Sequence, residues 1–191
     1  MTLIELLTTM SILGLVLTGI LVMFVSGLRA TDDMNTRFQA QQNARLSLSA
    51  LRNEIGSACT VTVGTVTGET AGSQVTLVLP SSSTPTAGAN SCSSGTTTVI
   101  WCAASASLAA PYGLYRSTSA TCSSTSGVLR AGSLKCAGTA TGCTAVFTKT
   151  TSATTRPAVT VRFPVEANLT NTHGLYTLSD TITARNAGVN S

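Results

Sequence analysis

Charge is scarce in this chain. Asp, Glu, Lys and Arg make up only 9% of its 191 residues, against roughly 25% in an average soluble domain. Aromatic residues are 4%, and there is one histidine, His173, in the turn-like run Asn171-Thr172-His173-Gly174. A serine triad needs a histidine held between a buried acid and an activated serine, and no Gly-x-Ser-x-Gly elbow occurs. No Walker-type phosphate loop is present. The distal acids Glu69, Glu166 and Asp180 are too sparse in sequence for a calcium cluster, and CxxC pairs with histidine partners, the usual mark of zinc, are missing. The residues therefore predict no catalytic site, no metal and no cofactor, with His173 as an exposed loop residue.

Positive charge is also absent from the first 28 residues, where the only ionisable side chain is Glu5. From Leu6 to Leu28 no side chain is charged. About 20 apolar residues span a bilayer core, so this run is long enough. A cleavable secretory signal would carry a basic region first and a shorter apolar core, and the pattern fits it poorly. An anchor normally has Lys or Arg on its cytoplasmic flank. Its absence leads to the expectation that a basic leader preceding Met1 has been removed.

Met1-Thr2-Leu3-Ile4-Glu5-Leu6-Leu7, followed by an apolar run, resembles the start of a mature type IV pilin or pseudopilin. In that family a prepilin peptidase cuts before a Phe or Met followed by Thr-Leu-Ile-Glu, and methylates the new amine. The resemblance implies processing and methylation at Met1 and assembly through Thr2, Leu3 and Glu5. Glu5 would meet the amino terminus of a neighbouring subunit and set its axial register. A carboxylate near the edge of the hydrocarbon costs several kcal/mol unpaired; the plainer reading is that it snorkels to the headgroups. Many family members have Gly14 with a proline at position 22, and their helix unwinds between them. Here position 22 is Val22. Gly14 and Gly19 are candidates for unwinding or, equally, for close helix packing.

From Arg29 to Ile55 the pattern stays helical but becomes amphipathic. Met34, Phe38, Leu48, Leu51 and Ile55 recur at helical intervals, without Pro or Gly between Arg29 and Ile55. Gly56 supplies the stop. The expectation is one long helix, with residues 1–28 as membrane span or filament core, 29–56 packing on a head, and 57–191 as that head.

The head reads as β. Val61–Val63, Val75–Leu79, Thr98–Trp101, Tyr112–Arg116, Ala145–Phe147, Val159–Phe163 and Tyr176–Ala184 are short runs rich in β-branched and aromatic residues, separated by Ser/Gly/Pro loops such as Pro80–Gly88. The fold class is α+β, a long helix packed on an antiparallel sheet. Leu114-Tyr115-Arg116 and the ending Tyr176 to Asn186 resemble, more faintly, minor pilins related to the secretion pseudopilin J.

All six cysteines lie in the head, as expected for disulfides in an oxidising compartment. If Thr98–Cys102 pairs with Tyr112–Arg116 about Ser107, Cys92 falls opposite Cys122. Cys136 and Cys143 close a short loop, leaving Cys59 with Cys102. Asn168-Leu169-Thr170 fits a sugar-acceptor triplet. The head carries seven bases against three acids, scattered along the chain, which favours a solvated surface over a DNA-binding patch. Trp101, Tyr112 and Tyr115 suit core packing or an aromatic platform.

The resemblance implies a structural subunit that is stored in the bacterial inner membrane and polymerises into an extracellular type IV pilus-like filament. Its partners would be copies of itself, other pilins, the peptidase and an assembly platform. Adhesion, motility, DNA uptake and secretion are the tasks of such filaments. A minor pseudopilin of a type II secretion system is one alternative. A single-pass anchored surface binding module is another, and Glu5 argues against it because a monomeric anchor has no use for an acid there.

Overall fold

The computed structural model describes residues 2–66, 72–80, 92, 96–104, 112–134, 146–152, 155–165 and 176–187. Helix α1 runs Leu3–Ser57. Eight strands follow among the described residues: β1 Thr60–Gly64, β2 Gln74–Pro80, β3 Thr96–Ala104, β4 Tyr112–Ser117, β5 Val128–Leu134, β6 Phe147–Ser152, β7 Thr155–Val165 and β8 Tyr176–Thr183. This is the expected α+β arrangement. Internal contacts divide the chain into two units, Met1–Phe38 and Gln39–Ser191.

In the second unit the sheet is antiparallel throughout, in the order β1-β2-β3-β4-β5-β7-β6, with β8 on β7. Alternation explains its layering. In β8 the burial repeats with period two up to Ile182 and Thr183, as a half-buried strand requires. In β7, Val159, Val161, Phe163 and Val165 are buried while Arg156 and Arg162 are exposed. Pro157 and Pro164 lack a ladder donor. They are tolerated because Pro157 lies beyond the last β8 pair and Pro164 beyond the last β6 pair.

The helix covers the inner face with Ala40, Ala44, Ser47, Leu48, Leu51 and Ile55, a single stripe at three- and four-residue spacing. Small residues at its start let helix and sheet approach closely. Met34 and Phe38, expected to join this stripe, are instead 72% and 59% exposed. Spacing alone does not say where the sheet begins to cover the helix, and here cover begins at Ala40. The helix ends on partners from the bend that follows β8. Arg185 N donates to Gly56 O at 3.2 Å and Asn186 Nδ2 to Ser57 O at 3.1 Å, satisfying carbonyls that a helix terminus would otherwise leave open.

Two disulfides are formed among the described residues, Cys59–Cys92 and Cys102–Cys122. They replace the expected Cys92–Cys122 and Cys59–Cys102 pairs, and register gives the reason. Gly64 pairs with Gln74, and Gln74 with Cys102. Cys59 therefore lies five residues from the level of Cys102, about 17 Å at ~3.3 Å per residue, far beyond disulfide reach. Cys92 precedes β3 at the same end of the sheet as Cys59. Cys102 faces Tyr115 rather than Tyr112, so the hairpin centre is displaced from Ser107. The turn after Ser117 folds back, held by Ser117 Oγ donating to Thr121 O at 3.0 Å, and brings Cys122 onto Cys102. Cys136 and Cys143 lie outside the described residues. Strand β5 was not expected, and β6 starts at Phe147 rather than Ala145.

Substituting Leu51→Ala should lower stability by about 2–4 kcal/mol through a cavity at the helix–sheet contact. Met34→Ala should change it by less than about 0.5 kcal/mol. Urea unfolding of the detergent-solubilised chain, followed by Trp101 fluorescence, measures both; equal losses would contradict a contact that begins at Ala40.

Candidate functional site

The first unit is a helix whose large apolar side chains are exposed. Leu3, Met10, Leu15 and Met23 are 82%, 67%, 76% and 80% exposed. Its most apolar window has a mean hydropathy of 2.3 and no buried share, so the helix is long and apolar enough to cross a membrane. Twenty-three residues at 1.5 Å rise cover about 35 Å, slightly more than a bilayer core of about 30 Å.

Four of its hydroxyls bond to the helix's own backbone. Thr8 Oγ1 donates to Glu5 O, Thr9 Oγ1 to Leu6 O, Ser11 Oγ to Thr8 O and Thr18 Oγ1 to Gly14 O, at 2.8–3.0 Å. Hydroxyls bonded to their own backbone can enter hydrocarbon without an unpaired donor. The helix continues through Gly14 and Gly19 unbroken, and a Cβ at either would meet nothing within 4 Å. Beyond the apolar run, Arg37 Nε lies 3.0 Å from Asp33 Oδ2, an i,i+4 pair on a polar collar.

Glu5 has a local role that its spacing could have revealed. Thr2-Leu3-Ile4-Glu5 has the spacing of a capping box, and the glutamate half of it forms. Thr2 O accepts from Glu5 N at 3.1 Å, and Thr2 N–H donates to Glu5 Oε2 at 3.4 Å. The acid also sits at the positive end of the helix dipole. Glu5 Oε1 has no hydrogen bond among the described residues. Leu3 is the first helical residue. Met1, Asn168 and His173 lie outside the described residues.

In the second unit the polar side chains converge on Glu54. Trp101 Nε1 donates to its Oε2 at 2.6 Å and Arg116 Nε to its Oε1 at 2.7 Å. Trp101 and Arg116 are cross-strand partners on β3 and β4, so one pair addresses both carboxylate oxygens. Trp101 is fully buried and offers no platform to a ligand. Tyr115, half-buried, packs against Ile100, Ala104 and the Cys102–Cys122 bridge on the other face. Gly113 and Gly127 are required here: a Cβ would fall 2.6 Å from Leu129 Cδ1 and 2.7 Å from Tyr115 Cβ respectively.

An open groove of about 630 Å³ runs beside β8, with Arg52, Asn53, Ser57, Asp180 and Arg185 among its lining. Arg52 Nε and Nη2 both address Asp180 Oδ2, at 2.9 and 2.7 Å. Among the described residues no three His, Cys, Asp or Glu side chains gather as metal ligands. Glu69 and Glu166 lie outside them.

No family model, curated protein or solved structure matches this chain.

Removing the Glu54 carboxylate leaves a buried indole N–H and a half-buried guanidinium unpaired. Glu54→Ala should cost about 2–4 kcal/mol. In the Glu54→Ala background, Trp101→Phe should cost about 1–3 kcal/mol less than it does alone. A double-mutant cycle by denaturant unfolding measures that coupling; a value near zero would mean the contact carries no stability.

Proposed function

We propose that the chain is a type IV pilin-like structural subunit, held in a membrane by its N-terminal helix and built into a filament by burial of that helix. The observation that carries this reading is the apolar run from Leu6 to Leu28, wholly exposed in the single chain and headed by an acid at position 5. Exposed apolar surface on this scale needs hydrocarbon or other helices around it. A bilayer suits the stored subunit, and a bundle of identical helices suits the assembled one.

Glu5 distinguishes an assembling subunit from a plain anchor. In the single chain one carboxylate oxygen accepts from Thr2 N–H and the other has no partner among the described residues. A charge satisfied halfway remains expensive at the hydrocarbon edge, and a neighbouring amino terminus would complete its pairing. That gain is available only at one axial offset, so it would select register. The head, with two disulfides among its described residues, suits an oxidising space outside the cytoplasm.

Filaments sheared from cells making the protein should contain this chain. Glu5→Ala should abolish or sharply reduce them while leaving the membrane-held pool at its normal level. Electron microscopy and quantitative mass spectrometry of sheared and membrane fractions test both. Wild-type fractions with the chain in the membrane and none in filaments would overturn the reading and favour an anchored surface module.

A further inference from the structure

We infer that the outward face of β6, β7 and β8 binds an acidic polysaccharide of the uronate type. Two basic side chains of β7 share this face, and a third lies just past the end of β8. Arg156 and Arg162 are both exposed and an even number of residues apart on β7, and so project to the same side. Ser179, Thr181 and Thr183 of β8 are exposed on the same side, and Arg185, exposed in the bend after β8, lines the rim of the groove. Asp180 alternates to the other side and is paired with Arg52. Among the described residues no carboxylate stands on this face, and none of the three guanidiniums has an ion-pair partner. A uniformly cationic surface selects anions.

Between the arginines the register builds a lane of hydroxyls. Thr148 pairs with Thr160 and Thr160 with Thr181; Thr150 pairs with Ala158 and Ala158 with Thr183. Thr160 Oγ1 and Thr181 Oγ1 are 3.0 Å apart, one hydroxyl donating to the other. Arg156 and Arg162 are six residues apart, about 20 Å at ~3.3 Å per residue, so the ligand must be extended and carry repeated negative charge.

Two features favour a saccharide over a nucleic acid. The described part of this face has no aromatic side chain on which a base could stack. At β8 it turns into the groove, where the lining includes Asn53, Ser57 and Asp180. Amides and hydroxyls there can both donate and accept. Asp180 Oδ1, without a hydrogen bond among the described residues, accepts from a sugar hydroxyl but repels a phosphodiester, which offers acceptors only. The arginines would hold carboxylates, and the groove would hold the neutral hydroxyls between them.

The probe is oligogalacturonate, titrated against the full-length chain in neutral detergent at low and high salt, with neutral malto-oligosaccharide and a short duplex DNA as comparisons. Binding should be seen for oligogalacturonate and should weaken with salt. The double variant Arg156→Gln/Arg162→Gln should weaken it about tenfold or more, as loss of charge-assisted hydrogen bonds does. Thr160→Val/Thr181→Val should weaken it less, and Arg130→Gln, exposed on β5 outside this face, should leave it unchanged. Thermal unfolding of each variant checks that the fold persists. Failure to bind oligogalacturonate, an equal loss with Arg130→Gln, or DNA bound as tightly would each overturn the proposal. None of these results depends on whether the chain forms filaments.

Discussion

The head is organised around one carboxylate. Glu54 stands in the last turns of α1, where the helix dipole disfavours an acid by about 0.3–1 kcal/mol, and where Arg116 and Trp101 more than offset that. The pair comes from two adjacent strands in register, so the contact orients the helix relative to the sheet as well as holding it. Arg52 does the same on the opposite flank of the buried stripe by reaching Asp180 on β8. With Glu54 tied to β3 and β4 and Arg52 to β8, rotation of the helix about its axis is fixed. Only then do Ala40, Ala44, Leu48, Leu51 and Ile55 all face the sheet.

The sheet needs that help because it is nearly divided. Among the described residues β5 meets β7 only at the Leu134–Val165 pair. Ser47 Oγ, on the helix, donates to Arg130 O of β5 at 2.8 Å, so the helix spans what the ladder leaves open. The disulfides reinforce the places that backbone pairing does not reach. Cys59–Cys92 ties the start of β1, where α1 ends, to the approach to β3. Cys102–Cys122 pins the turn after β4 to the outer face, beside Tyr115. In a chain with 4% aromatic residues, covalent links of this kind compensate for a modest core.

Much of this was legible in the residues, and what was not has physical causes. The helix could be read end to end because a break in charge, the absence of Pro and Gly56 all mark it. Seven strands announced themselves by β-branched runs. Strand β5 did not, since Val-Leu-Arg-Ala-Gly-Ser-Leu carries Gly and Ser, and its Val128 and Leu129 are exposed. Cysteine pairing failed for a different reason. It depends on cross-strand register, and a hairpin centre displaced from Ser107 redirects every partner. The Thr2–Glu5 contact has capping-box spacing, but the same four residues also head the apolar run, and spacing alone does not say which role they fill. Glu54 was hidden because a lone acid in an amphipathic helix reads as solvated surface until its indole and guanidinium partners are placed.

The basic residues teach the same lesson about surfaces. Arg156, Arg162 and Arg185 look dispersed in the chain, and dispersion argues for solvation. Antiparallel pairing with period-two alternation folds that distance away, placing every exposed position of β7 and β8 on one side. Asp180 lies on the other side by the same alternation, and there it meets Arg52. The alternation that keeps this carboxylate off the outer face thus also gives the helix its tie. One strand register sets both the packing of the head and the charge it presents, so a one-residue slip of β8 would carry Asp180 to the outer face and break its pair with Arg52.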